Sequence, residues 1–137
     1  MPCLSSSFDP AVGPIINIGV RGPDQSSARP GEQLQTFPAL IDTGASMTCI
    51  SNAVIQAIGL LPIGMREMVS ATHQSPVNVY LVDLIIPFGA TAHIRQGMQV
   101  MEFNQVGHSP FQILLGRDII CIGVFNISFD GHYTFSL

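Results

Sequence analysis

Three apolar residues in a row, Ala39-Leu40-Ile41, run into a carboxylate, Asp42. The chain then turns through Thr43, Gly44, Ala45 and Ser46 before Met47 to Ile50 returns to strand-like residues. No other stretch constrains the fold as much. An unbroken apolar run of this kind suits a strand buried on both faces. A carboxylate at its end has no structural use there, and burying a charge costs several kcal/mol unless it is paired or held neutral. Thr43 can hydrogen-bond locally, and Gly44 permits a sharp turn or the close approach of another backbone. A buried strand that delivers a carboxylate to a turn makes Asp42 a candidate for chemistry.

A chain of 137 residues is enough for one domain with a modest core. Only 10% of its residues are charged while 47% are hydrophobic, and its mean hydropathy is +0.41. That is apolar for a small monomer and points to surface covered by an oligomer or a partner. No run of 18 apolar residues is present, so a membrane-spanning helix is not expected. Met-Pro-Cys-Leu-Ser-Ser-Ser at the start lacks the charged and apolar regions of a signal peptide. The net charge is −4, and the five basic residues are single, scattered arginines. That pattern gives no footprint for nucleic acid or an anionic membrane. Cys3, Cys49 and Cys121 are odd in number and far apart. They read as free thiols of a cytoplasmic, reducing compartment, without the spacing of a metal site.

Along the chain, residues 1–12 form an N-terminal arm and residues 13–137 a single domain. Gly13 to Val20 reads as a first strand, Arg21 to Gln33 as a loop, and Gln35 to Ile41 as the strand feeding Asp42. Asn52 is placed to cap a short helix, Ala53 to Ile58, closed by Gly59. Arg66 to Pro87 reads as a long hairpin whose tip is the small, polar stretch Ala71 to Pro76. Thr91 to Phe103 is a further strand, interrupted at Gly97. Phe111 to Leu115 leads to Gly116 and a short helix from Arg117 to Ile122. Val124 to Phe129 and His132 to Ser136 pair around Asp130-Gly131.

The apolar lead into Asp42-Thr43-Gly44-Ala45-Ser46 resembles the catalytic loop of the retropepsin-like aspartic proteases. Ile113-Leu114-Leu115-Gly116-Arg117-Asp118 resembles the second signature of that family, an apolar run into Gly-Arg-Asp or Gly-Arg-Asn. The resemblance implies an all-β fold: a small closed barrel with one or two short helices, working as a homodimer. It implies that Asp42, Thr43 and Gly44 form the catalytic loop, with Thr43 bonding across the dimer axis. It implies a hairpin folding as a flap over an extended peptide substrate, touched by Ala45, Ser70, Ala71, Thr72 and His73. Leu115, Gly116, Arg117 and Asp118 would brace the site, with Asp118 bonded to Thr48. No metal or organic cofactor is implied. In retroviral relatives the arginine of the second signature pairs with an aspartate two positions beyond Asp-Thr-Gly. Ser46 stands there in this chain, so Arg117 needs another partner. The hairpin tip also lacks the glycines of retroviral flaps.

Hydrolysing a peptide bond needs an activated water and an acid for the leaving nitrogen, which two close carboxylates sharing one proton supply. This chain carries one Asp-Thr-Gly. Its second carboxylate must come from another copy, across a two-fold axis. A catalytically silent dimerisation or peptide-binding module on the same fold is the alternative. Cys49 reads as a small buried hydrophobe, and His93, His108 and His132 have no ligand spacing.

Overall fold

The computed structural model describes residues 2–23, 34–69, 71–105 and 107–137. Most of the loop expected over 21–33, and Ser70, lie outside them. Among the described residues are ten strands and two short helices. The strands are β1 (Cys3–Ser7), β2 (Ile15–Arg21), β3 (Thr36–Ile41), β4 (Cys49–Ser51), β5 (Gly64–Val69), β6 (Gln74–Phe88), β7 (Thr91–Phe103), β8 (Ile113–Leu115), β9 (Val124–Ile127) and β10 (His132–Ser136). The helices are α1 (Asn52–Ile58) and α2 (Arg117–Ile120).

Six strands run in the order β2-β3-β8-β4-β7-β6, and a pairing of β2 with β6 closes them into a barrel. β2 shows why its residues form a barrel stave. Ile16, Ile18 and Val20 point inward and are buried, while Asn17 between them is exposed. The core gathers Ile18, Ile50, Leu84, Ile86, Ile113, Leu115 and Phe135, all with no measurable exposure. The closing seam is short: Gly19, Val20 and Arg21 of β2 lie opposite Ile85, Leu84 and Asp83 of β6. Arg21 Nε lies 3.2 Å from Asp83 Oδ2, so the last pair of the seam is an ion pair. Asp83 is buried, and its Oδ1 accepts from the Gly97 N–H at 2.9 Å. Here the β6–β7 register slips between Val82 and Leu84, and Gly97 takes φ +62°. The expected interruption at Gly97 is thus a bulge inside one continuous strand, pinned by a carboxylate.

β5 and β6 form the expected hairpin, with Val69 opposite Gln74 at the turn. α1 is capped one residue earlier than Asn52 suggests. Ser51 Oγ accepts from the Val54 N–H at 3.3 Å, because Ser51 is the last extended residue before the helix. Gly59 ends α1 in the left-handed region, as expected. α2 is shorter than the sequence suggests, stopping at Ile120 with Cys121 as its cap. A second sheet, β1-β10-β9, brings the first and last described segments together. Its β9–β10 turn is built on Asp130 and Gly131, with Gly131 at φ +80°.

The position of β8 matters most for the site. β3 and β4 flank the Asp42 turn in sequence but do not pair with each other. β8 lies between them, parallel to β3 (Leu40 opposite Leu114) and antiparallel to β4 (Ile50 opposite Ile113). The turn from Ile41 to Cys49 must therefore span two strand spacings, about 9.5 Å, across the end of β8.

Candidate active site

Asp42 stands where β3 ends, and its backbone N–H donates to the carbonyl of Leu115 at 2.9 Å. The carboxylate is half-buried. Its Oδ1 accepts from the Gly44 N–H at 2.9 Å, which fixes the side-chain plane. Among the described residues no hydrogen bond is made to Oδ2. A Cβ on Gly44 would sit 3.1 Å from Asp42 Oδ1, so a side chain there would crowd the bond that orients the carboxylate. The Ala45 N–H closes the turn on the Asp42 carbonyl at 3.2 Å. Thr43 and Gly44 are exposed at its tip.

The second motif is folded directly beneath. Thr48 is fully buried, and its N–H and Oγ1 donate to Asp118 Oδ2 and Oδ1 at 2.9 and 2.8 Å. The same hydroxyl accepts from the Gly116 N–H at 3.1 Å. One buried side chain thus ties both ends of the second motif to the far limb of the turn. Arg117 completes the brace: its N–H donates to the Ala45 carbonyl at 2.8 Å, and its Nη1 donates to the Thr43 carbonyl at 2.9 Å. That carbonyl is the partner that the absence of an aspartate at position 46 left open. Gly116 is where the two backbones cross. A Cβ there would lie 2.6 Å from the Met47 carbonyl carbon and 2.9 Å from the Thr48 nitrogen.

Asp42, Thr43, Gly44 and Ala45 are therefore brought together with Leu115, Gly116, Arg117 and Asp118, although Thr48 and Asp118 are 70 residues apart. Ala71, Thr72 and His73 are exposed at the hairpin turn, where His73 Nδ1 lies 2.9 Å from Thr72 Oγ1. Cys49 is buried beside the site. Desolvation pushes its thiol up to about 11, with the charges of Asp118 and Asp42 adding to the shift. A desolvated thiol with a raised pKa is a poor nucleophile near neutral pH. Among the described residues no cluster of histidine, cysteine or carboxylate could hold a metal, and no helix is long and apolar enough to cross a membrane.

Sequence reasoning passed over one residue near the turn. Arg66 of β5 sends Nη1 to within 3.6 Å of Met47 Sδ. The available signal was parity: Arg66 and Met68 share a face of β5, and Met68 packs on the Cys49–Val79–Met101 cluster next to the turn.

A family model described as aspartyl protease matches residues 29–119. None of the curated proteins matches the chain. The fold is similar to that of a retropepsin-like aspartic protease from Rickettsia conorii, with a TM-score of 0.62. The two chains are 15% identical, over 97% of this chain and 89% of that one. At that identity the likeness establishes the fold, and the barrel is retropepsin-like.

Proposed function

From the premise that this chain belongs to the aspartyl protease family, we propose that it is an endopeptidase whose site is shared by two copies, each contributing Asp42. One observation carries this reading. The half-buried Asp42 is held through one oxygen by the Gly44 N–H, on a turn braced by Thr48, Arg117 and Asp118, and its second oxygen accepts no bond among the described residues. In the mechanism, one Asp42 takes a proton from a water as the water oxygen attacks the peptide carbonyl carbon. The protonated Asp42 of the other copy donates to the carbonyl oxygen as charge develops there. The proton taken from water then passes to the leaving nitrogen, the C–N bond breaks as a C=O bond re-forms, and the proton on the former carbonyl oxygen returns to the second Asp42. Thr43 and Gly44 shape the loop at the two-fold axis. The β5–β6 hairpin serves as the flap, its tip residues Ala71, Thr72 and His73 covering an extended peptide that passes over Ala45.

The dimer reading is supported by the single Asp-Thr-Gly and by an exposed apolar margin following α2. Ile122, Val124 and Ile127 are about half exposed, and Phe129 is fully exposed. A peptide library offered to the purified protein tests the proposal. The wild type should cleave, and Asp42→Asn, near-isosteric but without an ionisable carboxylate, should lose activity by at least about 1000-fold. Cleavage by pure Asp42→Asn at the wild-type rate would defeat the assignment. Intact folding with no cleavage by the wild type would favour the silent binding module.

A further inference from the structure

We infer that Arg66 is a specificity-determining residue that selects an acidic side chain in the peptide; this rests on the peptidase reading above. Three observations carry it. The first is direction. Alternation along β5 puts Arg66 on the same face as Met68, and the register places it opposite Val77 of β6. Met68 and Val77 both pack on the Cys49–Val79–Met101 cluster, together with Met47 of the Asp42 turn. The face of the hairpin that carries Arg66 is thus the one turned toward the turn. Arg66 Nη1 reaches Met47 Sδ, five residues beyond Asp42.

The second observation is the poverty of its present partner. A thioether is a weak acceptor, whereas a guanidinium offers five N–H donors in a fork that matches a carboxylate. The third is that no carboxylate among the described residues pairs with Arg66. Asp118 holds Thr48 through both oxygens, while Glu102 and Asp42 each hold one donor, Asn78 and Gly44. Glu67 is adjacent in sequence but points to the other face of β5. Among the described residues Arg66 forms no ion pair. It is a cation beside the candidate cleft, flanked by Met47 and Met68, with its donors open.

The net charge of −4 would repel an acidic peptide at long range. That repulsion is screened beyond about 8 Å at physiological ionic strength, while a direct guanidinium–carboxylate contact is not. The short-range attraction therefore decides. Because Arg66 is exposed, the expected preference is modest, about tenfold in kcat/KM.

The test uses two peptide libraries, identical except that one carries Glu and the other Gln, stepped through each position around the cleaved bond. At one position the wild type should cleave the Glu peptides about tenfold faster. In Arg66→Gln that ratio should fall to about one, and in Arg66→Glu it should drop below one, with Lys peptides gaining. A merely structural role for Arg66 would lower both rates together and leave the ratio standing; that result overturns the inference. Equal cleavage of Glu and Gln peptides by the wild type at every position overturns it as well. Cleavage of neither library by folded wild type removes the peptidase reading itself, a failure distinct from the other two.

Discussion

Gly116 shows how a single hydrogen atom can decide a site. Its φ of −90° is open to any residue, so the constraint is steric rather than conformational. A methyl group there would meet the backbone of Met47 and Thr48, which cannot move aside like a side chain. Gly116→Ala should cost about 3 kcal/mol, at the upper end for overpacking, read as a fall in the urea midpoint. A midpoint within error of wild type would mean that the two backbones are not in contact. Cys49 gives a pH signature at the same scale. Its thiol is raised by burial from the ordinary 9.0 to about 11. The folded state therefore holds a proton that the unfolded state releases first. The associated stability is fully present below pH 9 and is lost as pH rises through about 11. In native protein at pH 8, iodoacetamide should modify the exposed Cys3 and Cys121 well before Cys49, as mass spectrometry would show. Equal labelling of the three would contradict the burial of Cys49.

Among the elements, the barrel seam is where stability is most exposed to one change. Three residue pairs close β2 on β6, and one is Arg21 with Asp83. Removing one partner leaves a largely buried charge uncompensated, and the Gly97 N–H loses its acceptor too. Asp83→Ala should cost about 3 kcal/mol. Thermal unfolding would check this; a loss under about 1 kcal/mol would make the pair a surface ornament. Local patterns made much of this architecture legible in the sequence. Ile16, Ile18 and Val20 alternate, Gly59 stops a helix, and Asp130-Gly131 turns a hairpin, each by a rule spanning a few residues. The bond from Thr48 to Asp118 was reachable because two motifs resembled one family's signatures. The Arg21–Asp83 pair was not legible, since 62 residues separate its members and nothing local marks either side chain. Ser51 was missed as a cap because Asn52 beside it is an equally good capping residue. The Arg117 to Thr43 bond was hidden for another reason: its acceptor is a backbone carbonyl, which every residue has.

For the whole molecule, the proposed site, shared by two copies, would make activity depend on concentration. Specific activity should fall on dilution in step with the dimer fraction, followed by sedimentation and a peptide assay on the same samples. Full activity in a preparation shown to be monomeric would remove the shared site. The placement of β8 between β3 and β4 has a further consequence, which belongs to the timing of synthesis. The turn carrying Asp42 is made first, while the residue that braces it through Thr48 follows 70 residues later. At roughly 5–20 residues per second, that interval is about 4–14 s on the ribosome. During it the newborn chain carries the whole Asp-Thr-Gly loop with neither β8 beneath it nor Asp118 to hold it. The bonds from Thr48 to Asp118 and from Arg117 to Thr43 and Ala45 cannot form before nearly all of the barrel has emerged, so the order of the sequence itself postpones the bracing of the site until the enclosing walls exist.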